Sequence, residues 1–280
     1  MYRIRFFSSF CNSTHCKSAF ERLCETSNMP HYGNGKDIFI VDDDSYTHAI
    51  LMNVPTPSLT IPKDRVIGIA FEPPLFLQLT NSFMTYAKEH IGKYLIGTNQ
   101  LPPPFHSAYS FLWHTTPPKE IPLKTKLMSI MVSQKMFAPG HQYRHELVQA
   151  ILSTNFPIDI YGRGAKMYFQ DSRLKGEFVS DEPYQSYQFH ICIENYSISD
   201  YTSEKYTNPL LWGTTPIYWG AQNPLFPDYT IQLSGDVIKD MLLIRKILAN
   251  PEEYQREISQ EVVRSRLNIL NHLDELFSPL

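Results

Sequence analysis

Cysteine is scarce in this chain of 280 residues: four, at Cys11, Cys16, Cys24 and Cys192. So few thiols in so long a sequence exclude a disulfide framework and fit a reducing compartment. Cys11, His15, Cys16 and Cys24 follow no paired zinc spacing and have no second pair downstream, so packing or surface roles suit them better. Basic excess is also missing, since 25 Lys and Arg stand against 28 Asp and Glu, a net charge of -3. That balance offers no broad cationic face for a nucleic acid or an anionic membrane, and an anionic ligand must be held by a few placed cations. No apolar run approaches the roughly 20 residues of a membrane span. The opening MYRIRFFSSFC is interrupted by polar residues too early for a signal peptide. The expectation is a cytoplasmic-type soluble chain, with a Golgi-lumenal origin left open for a truncated one. Peripheral contact through the carboxyl-terminal helices is the remaining route to a membrane.

Proline and aromatics are plentiful, with 21 Pro, 17 Tyr and 17 Phe, and 42% hydrophobic content describes a folded chain rich in turns. Short apolar runs alternate with helical periods: MYRIRFF, HCKSAFERLCETSN, KDIFIV, THAILMN, DRVIGIAF and FLQLTNSFMTYAKEHIG. This rhythm predicts an α/β fold with mainly parallel sheet. LPPPFHSAYSFLWHTTPPKEIP, residues 101–122, has too many prolines for continuous regular structure and is the expected interdomain crossing. The alternation restarts with KLMSIMVSQ, YRHELVQAILST, FPIDIYGRG, SYQFHICIEN, TPIYWG and YTIQL, then helices punctuated at Asn250-Pro251. Two Rossmann-like domains facing across a cleft are expected, residues 1–122 and residues 123–280, the latter with the terminal helices.

Asp42, Asp43 and Asp44 follow a predicted strand, as the metal-binding carboxylates of some glycosyltransferases do, but an exposed acidic turn reads the same. GRGAK, residues 162–166, lacks the glycines and the hydroxyl of a P-loop and reads as a turn that approaches a ligand. Glu72 ends the apolar run VIGIAF, at the sheet edge that faces ligands in open parallel sheets, before Pro73 and Pro74 turn the chain away. An ordinary strand-end acid is the alternative.

In YTSEKYTNPLLWGTTPIYWG, Asp200, Thr202 or Ser203 can cap a helix starting near Ser203. Glu204 then agrees with the helix dipole, whereas Lys205 opposes it by a few tenths to about 1 kcal/mol. Pro209 and Gly213 keep the helix short. A helix amino terminus with a lysine cradles a diphosphate; pairing of Lys205 with Glu204 or Asp200 accounts for it equally well.

The longer block FHICIENYSISDYTSEKYTNPLLWGTTPIYWGAQNPLFPD, from Phe189, closely resembles the signature of the α-1,3/α-1,4-fucosyltransferase family, glycosyltransferase family 10. KLMSIMVSQ with the downstream Arg144, and IDIYGRG after it, extend the likeness over about residues 124–250. The resemblance implies a GT-B fold with residues 1–122 on the acceptor side and 123–280 on the nucleotide-sugar side, GDP-β-L-fucose as donor, inversion to an α-L-fucoside on a GlcNAc- or galactose-containing glycan, and no obligatory cofactor or metal. It places Lys205 and Arg144 on the diphosphate, Glu204 on the ribose, Glu194, Asn195, Tyr201 and Ser203 at the donor site, and Glu72 as general base. Ser203 stands where the family usually has Thr, retaining the hydroxyl, and Gln134 replaces the usual Asn. A related transferase using another nucleotide sugar, or a catalytically silent glycan-binding protein, shares these features. The expected partner is an oligosaccharide, glycolipid or glycoprotein acceptor, with no nucleic acid.

Overall fold

The computed structural model describes residues 1–26, 31–33, 36–98, 100–107, 111 and 117–278. Residues 108–110 and 112–116, part of the expected crossing, lie outside the described residues. The chain forms two compact units: Met1–Pro117 with Ser199–Tyr201 and Arg264–Leu280, and Pro118–Ile198 with Thr202–Val263.

In the first unit, strands β1 (Tyr2–Ser8), β2 (Ile38–Val41), β3 (His48–Met52), β4 (Val66–Ile69), β5 (Lys93–Leu95) and β6 (Phe105–His106) form one parallel sheet. Their order is β2-β1-β3-β4-β5-β6. Every residue of β4 is buried, as expected of a parallel strand covered on both faces. Helix α1 (Ser13–Thr26) follows β1; the short α2 (Pro74–Leu77) and α3 (Asn81–His90) follow β4. The predicted single helix from Phe76 is thus broken, and the break lies at Gln78, whose φ of 49° is left-handed. Thr80 then restarts the helix by accepting from the Phe83 N–H at 3.2 Å.

The stretch from Arg264 belongs to this first unit, whereas the sequence expectation grouped it with the second domain. Burial explains the return. Ile269, Leu270, Leu273 and Leu276 are all nearly inaccessible. Phe277 stacks on Tyr2 at 5.9 Å between ring centroids, and the Tyr2 hydroxyl donates to Asp274 at 2.5 Å.

In the second unit, β7 (Lys126–Met131), β8 (Ile158–Tyr161), β9 (Leu174–Gly176), β10 (Tyr187–Ile193), β11 (Thr215–Trp219) and β12 (Ile231–Gln232) form another parallel sheet, ordered β12-β11-β10-β7-β8-β9. Helix α4 (Pro139–Leu152) covers it with Tyr143, Leu147, Val148 and Ile151, the spacing of one helical face, and the later helix Val237–Ala249 adds Ile244 and Ile247. They pack with Met128, Ile130, Phe189, Ile191 and Ile217 in one core. Each such side chain contributes roughly 1.5–3 kcal/mol by leaving water. Two further helices, α5 (Glu182–Gln185) and α6 (Glu204–Leu211), flank β10 in sequence.

The strand order runs outward in one direction from β7 and in the other from β10. The switch between them opens a crevice at their carboxyl ends, where ligands bind in sheets of this kind.

Candidate functional site: a cationic cavity at the switch point

A cavity of roughly 370 Å³ lies at that switch point. The strand ends supply Val132, Ser133 and Gln134 from one side and His190 to Ile193 from the other. Four cationic side chains reach its lining: Lys135, Arg144, Arg163 and Lys205. Gly162 and Arg163, from the GRGAK stretch, line it as well.

Lys205 sits there because of the short helix α6. Ser203 is its cap, accepting from the Lys205 N–H at 3.3 Å. Lys205 is thereby fixed as the second residue of the helix, where the unpaired N–H groups and the dipole favour negative charge. Its ammonium donates to Glu204 Oε1 at 2.9 Å and to Ser203 Oγ at 3.2 Å, and lies 4.0 Å from Glu194 Oε2. Burial opposes its charge, but the carboxylates of Glu204 and Glu194 outweigh that and hold its pKa above the ordinary lysine value. Pairing with Glu204 and exposure to the cavity therefore coexist.

Glu194, directly after β10, is completely buried. One oxygen accepts from the Ser203 N–H and the other from the Ser203 hydroxyl, each at 2.7 Å. Burial raises its pKa, with Glu204 adding to the effect, while Lys205 and the two Ser203 hydrogen bonds pull the other way. The serine found where the family usually has threonine thus caps α6 and ties Glu194 to the same turn. The glycine of the YWG ending is explained here as well: a Cβ on Gly220 would stand 2.5 Å from Glu194 Cγ and 2.3 Å from the Tyr218 hydroxyl. No side chain fits.

Arg144 comes from α4. Its guanidinium is buried and donates to the Ile193 carbonyl. Burial lowers its pKa to about 10, partly offset by Glu194 and Glu204, so it stays charged at neutral pH. Two histidines close to these cations stay neutral. His190 has its pKa lowered to about 3 by burial and then by Arg144. The Ser129 hydroxyl donates to the Pro183 carbonyl at 2.6 Å, and the His190 Nδ1–H donates to Ser129 Oγ at 2.7 Å, since a carbonyl can only accept. His141, near the start of α4, is lowered to about 4 by burial and by Arg144, Lys135 and Lys205. Its Nδ1 accepts from the Ala138 N–H at 3.2 Å, tying the residue before α4 to the first turn of the helix, and Asn195 hydrogen-bonds to the same ring. The positive charge facing the cavity is therefore carried by arginine and lysine.

Residues 121–231 match the family model described as glycosyltransferase family 10 (fucosyltransferase) C-terminal. The matched residues include all those that line the cavity. Two solved α1,3-fucosyltransferase structures are similar to the whole chain. The one with GDP has 11% identity over 100% of this chain and 93% of that chain, with a TM-score of 0.51. The other has 12% identity over 98% of this chain and 91% of that chain, with a TM-score of 0.51. Likeness at this identity is likeness of fold, the two-sheet α/β architecture of GT-B glycosyltransferases.

Of the residues expected from the sequence, the second unit gathers Arg144, Glu194, Ser203, Glu204 and Lys205 around one cavity, with Asn195 held alongside by His141. Tyr201 and Glu72 lie in the first unit instead. Glu72 is exposed, in the bend between β4 and α2. The acidic triplet is engaged locally: Asp42 pairs with Lys17 at 3.4 Å, Asp43 accepts from the Ser45 N–H at 2.9 Å, and Asp44 pairs with Arg5 at 2.5 Å. Cys11 and Cys16 bring their sulfurs to 2.8 Å as free thiols. Among the described residues no helix is long and apolar enough to cross a membrane. Sequence reasoning missed Lys135 and His190 as parts of the cavity wall. Lone charged or imidazole side chains carry no spacing signal. The strand order alone brings them together.

Proposed function

We propose that this protein transfers L-fucose from GDP-β-L-fucose to a hydroxyl of a GlcNAc- or galactose-containing glycan, with inversion at the anomeric carbon. The observation that carries the reading is the pair Arg144 and Lys205, with the capped start of α6, lining one cavity whose residues all fall within the family 10 match. Breaking the bond between the fucose anomeric carbon and the β-phosphate oxygen leaves added negative charge on GDP. Cations fixed in advance stabilise that charge as it develops. Glu204 contacts the nucleotide ribose, and Glu194 holds Ser203 and Lys205 in place from beneath. As the acceptor oxygen bonds to the anomeric carbon, the Glu72 carboxylate takes the hydroxyl proton. Two arginine and lysine charges with a helix terminus supply the positive field that a divalent cation supplies elsewhere, so the proposed reaction has no metal requirement.

The test is transfer to a glycan panel with GDP-fucose against other GDP- and UDP-sugars. GDP-fucose is expected to be the preferred donor, and preference for a UDP-hexose would end the fucose assignment.

A further inference from the structure

The first unit carries a pair of thiols that the proposed reaction does not use. Residues 9–12 leave β1 at the carboxyl edge of its sheet, where the strand order runs one way to β2 and the other way to β3. Open parallel sheets meet their ligands at such an edge.

Both ends of this short loop are anchored. Ser9 donates its N–H to the Met52 carbonyl at the end of β3, at 3.4 Å, and the Ser13 hydroxyl donates back to the Phe6 carbonyl of β1 at 2.7 Å. Asn12 caps α1: its Oδ1 accepts from the His15 N–H at 2.8 Å, and its carbonyl from the Cys16 N–H at 3.1 Å. Cys16, Ala19, Phe20 and Leu23 form the buried face of the helix, and Phe20 stacks on Phe6 at 3.9 Å between ring centroids. The Cys16 sulfur is thereby fixed, and it lies 2.8 Å from the Cys11 sulfur. A disulfide bond is about 2.05 Å long, so closing one needs an approach of less than about 1 Å.

The two thiols differ in access. Cys16 is fully buried, and burial, followed by its hydrogen bond with Cys11, pushes its thiol well above the ordinary range. Cys11 is only half-buried. An oxidant arriving from solvent therefore meets Cys11 first, with Cys16 in contact behind it.

We propose that Cys11 and Cys16 are a reversible oxidation site, closed to a disulfide by a small-molecule disulfide of the glutathione class. The Cys11 sulfur gives up its proton and attacks one sulfur of the small disulfide, which leaves a mixed disulfide on Cys11 and releases one small thiol. The Cys16 sulfur then attacks the Cys11 sulfur. The Cys11–Cys16 bond forms, the bond to the second small thiol breaks, and the Cys16 proton departs with that thiol. Two protein thiols lose two electrons and two protons, and the small disulfide becomes two thiols. In a reducing compartment the pair rests as a dithiol and closes when the disulfide pool rises. The site stands independently of the proposed transfer reaction.

The experiment equilibrates the full chain with graded ratios of oxidised to reduced glutathione, quenches in acid, alkylates and maps the tryptic peptides. Arg5 and Lys17 place both cysteines in one peptide, residues 6–17. That peptide is expected about 2 Da lighter than its reduced form, with Cys24 and Cys192 still reduced and full recovery by dithiothreitol. Alkylation of Cys11 in the native chain should fall at least roughly tenfold on oxidation, and half closure should need a roughly tenfold lower oxidised-to-reduced ratio in the folded chain than in urea, because the fold holds the sulfurs together. Cys16→Ala should trap one glutathione on Cys11, and Cys11→Ser should leave Cys16 reduced. A wild-type chain that keeps glutathione on Cys11 without closing, a bridge to Cys24 or Cys192, or the same half-closure ratio folded and unfolded would each overturn the proposal. So would oxidation of Cys16 in Cys11→Ser at the wild-type rate. Should Cys16→Ala fail to fold, the wild-type peptide map and the folded-against-urea comparison decide alone.

Discussion

The two units share one plan, a six-stranded parallel sheet with helices, but they treat polar groups differently. In the second, Arg144, His141, His190, Glu194 and Ser203 are buried around a single switch point. In the first, Glu72 is exposed on a bend, and the buried polar residue nearest it in the fold of β3 and β4 is Asn53. Buried charges are tolerated only when paired, so a site made of them is rigid and tied to the stability of its unit. An exposed carboxylate adds less to folding than a buried one. One unit should therefore lose fold and function together, the other function alone.

The largest effect is expected from Arg144→Ala. It removes a buried guanidinium from the Ile193 carbonyl and from the field of Glu194, at a cost of about 3–5 kcal/mol. Thermal unfolding of the second unit should fall and GDP binding, followed by calorimetry, should vanish together. Glu72→Gln tests the opposite case: kcat is expected to fall about 10²–10³-fold with melting and GDP affinity unchanged. A parallel loss of stability would break the contrast.

Acid sharpens it further. His190 and His141 are held neutral, with pKa values near 3 and 4, against an ordinary value near 6.5 in the unfolded chain. Depressed histidine values give stability that is complete above about pH 6.5 and lost as the pH falls toward 4. Urea midpoints of the wild type should drop over that window, and His190→Gln should flatten part of the drop. His48, in the first unit, is lowered to about 4 by burial and Arg65 and contributes in the same direction. The smallest effect belongs to the acidic turn. Asp43→Asn, and separately EDTA, should leave transfer within about twofold, because an exposed turn carboxylate holds only local hydrogen bonds.

Much of this was legible beforehand. Long apolar runs such as VIGI and YQFHICI announced central strands, and Ser203 with Pro209 and Gly213 announced a short capped helix, which runs from Glu204 to Leu211. β5, β6 and β9 were not legible, since strands of two or three residues carry no period to detect. Tyr201 is the instructive residue. Its place in the block put it beside Lys205 in chain order, whereas its hydroxyl is spent on Phe71.

The sequence by itself determined the alternation of strand and helix, the capped start of α6 and the family-like block around it, because caps, periods and breakers act between residues a few positions apart. Only the tertiary structure decided that Lys135, Arg144, Arg163 and Lys205 share one cavity, that the chain from Arg264 returns to the first unit, and that Asn53 and Tyr201 both hydrogen-bond to the backbone of Phe71. Those relations join residues tens to more than a hundred positions apart. They are fixed by strand order and by the burial of apolar faces that no local pattern specifies.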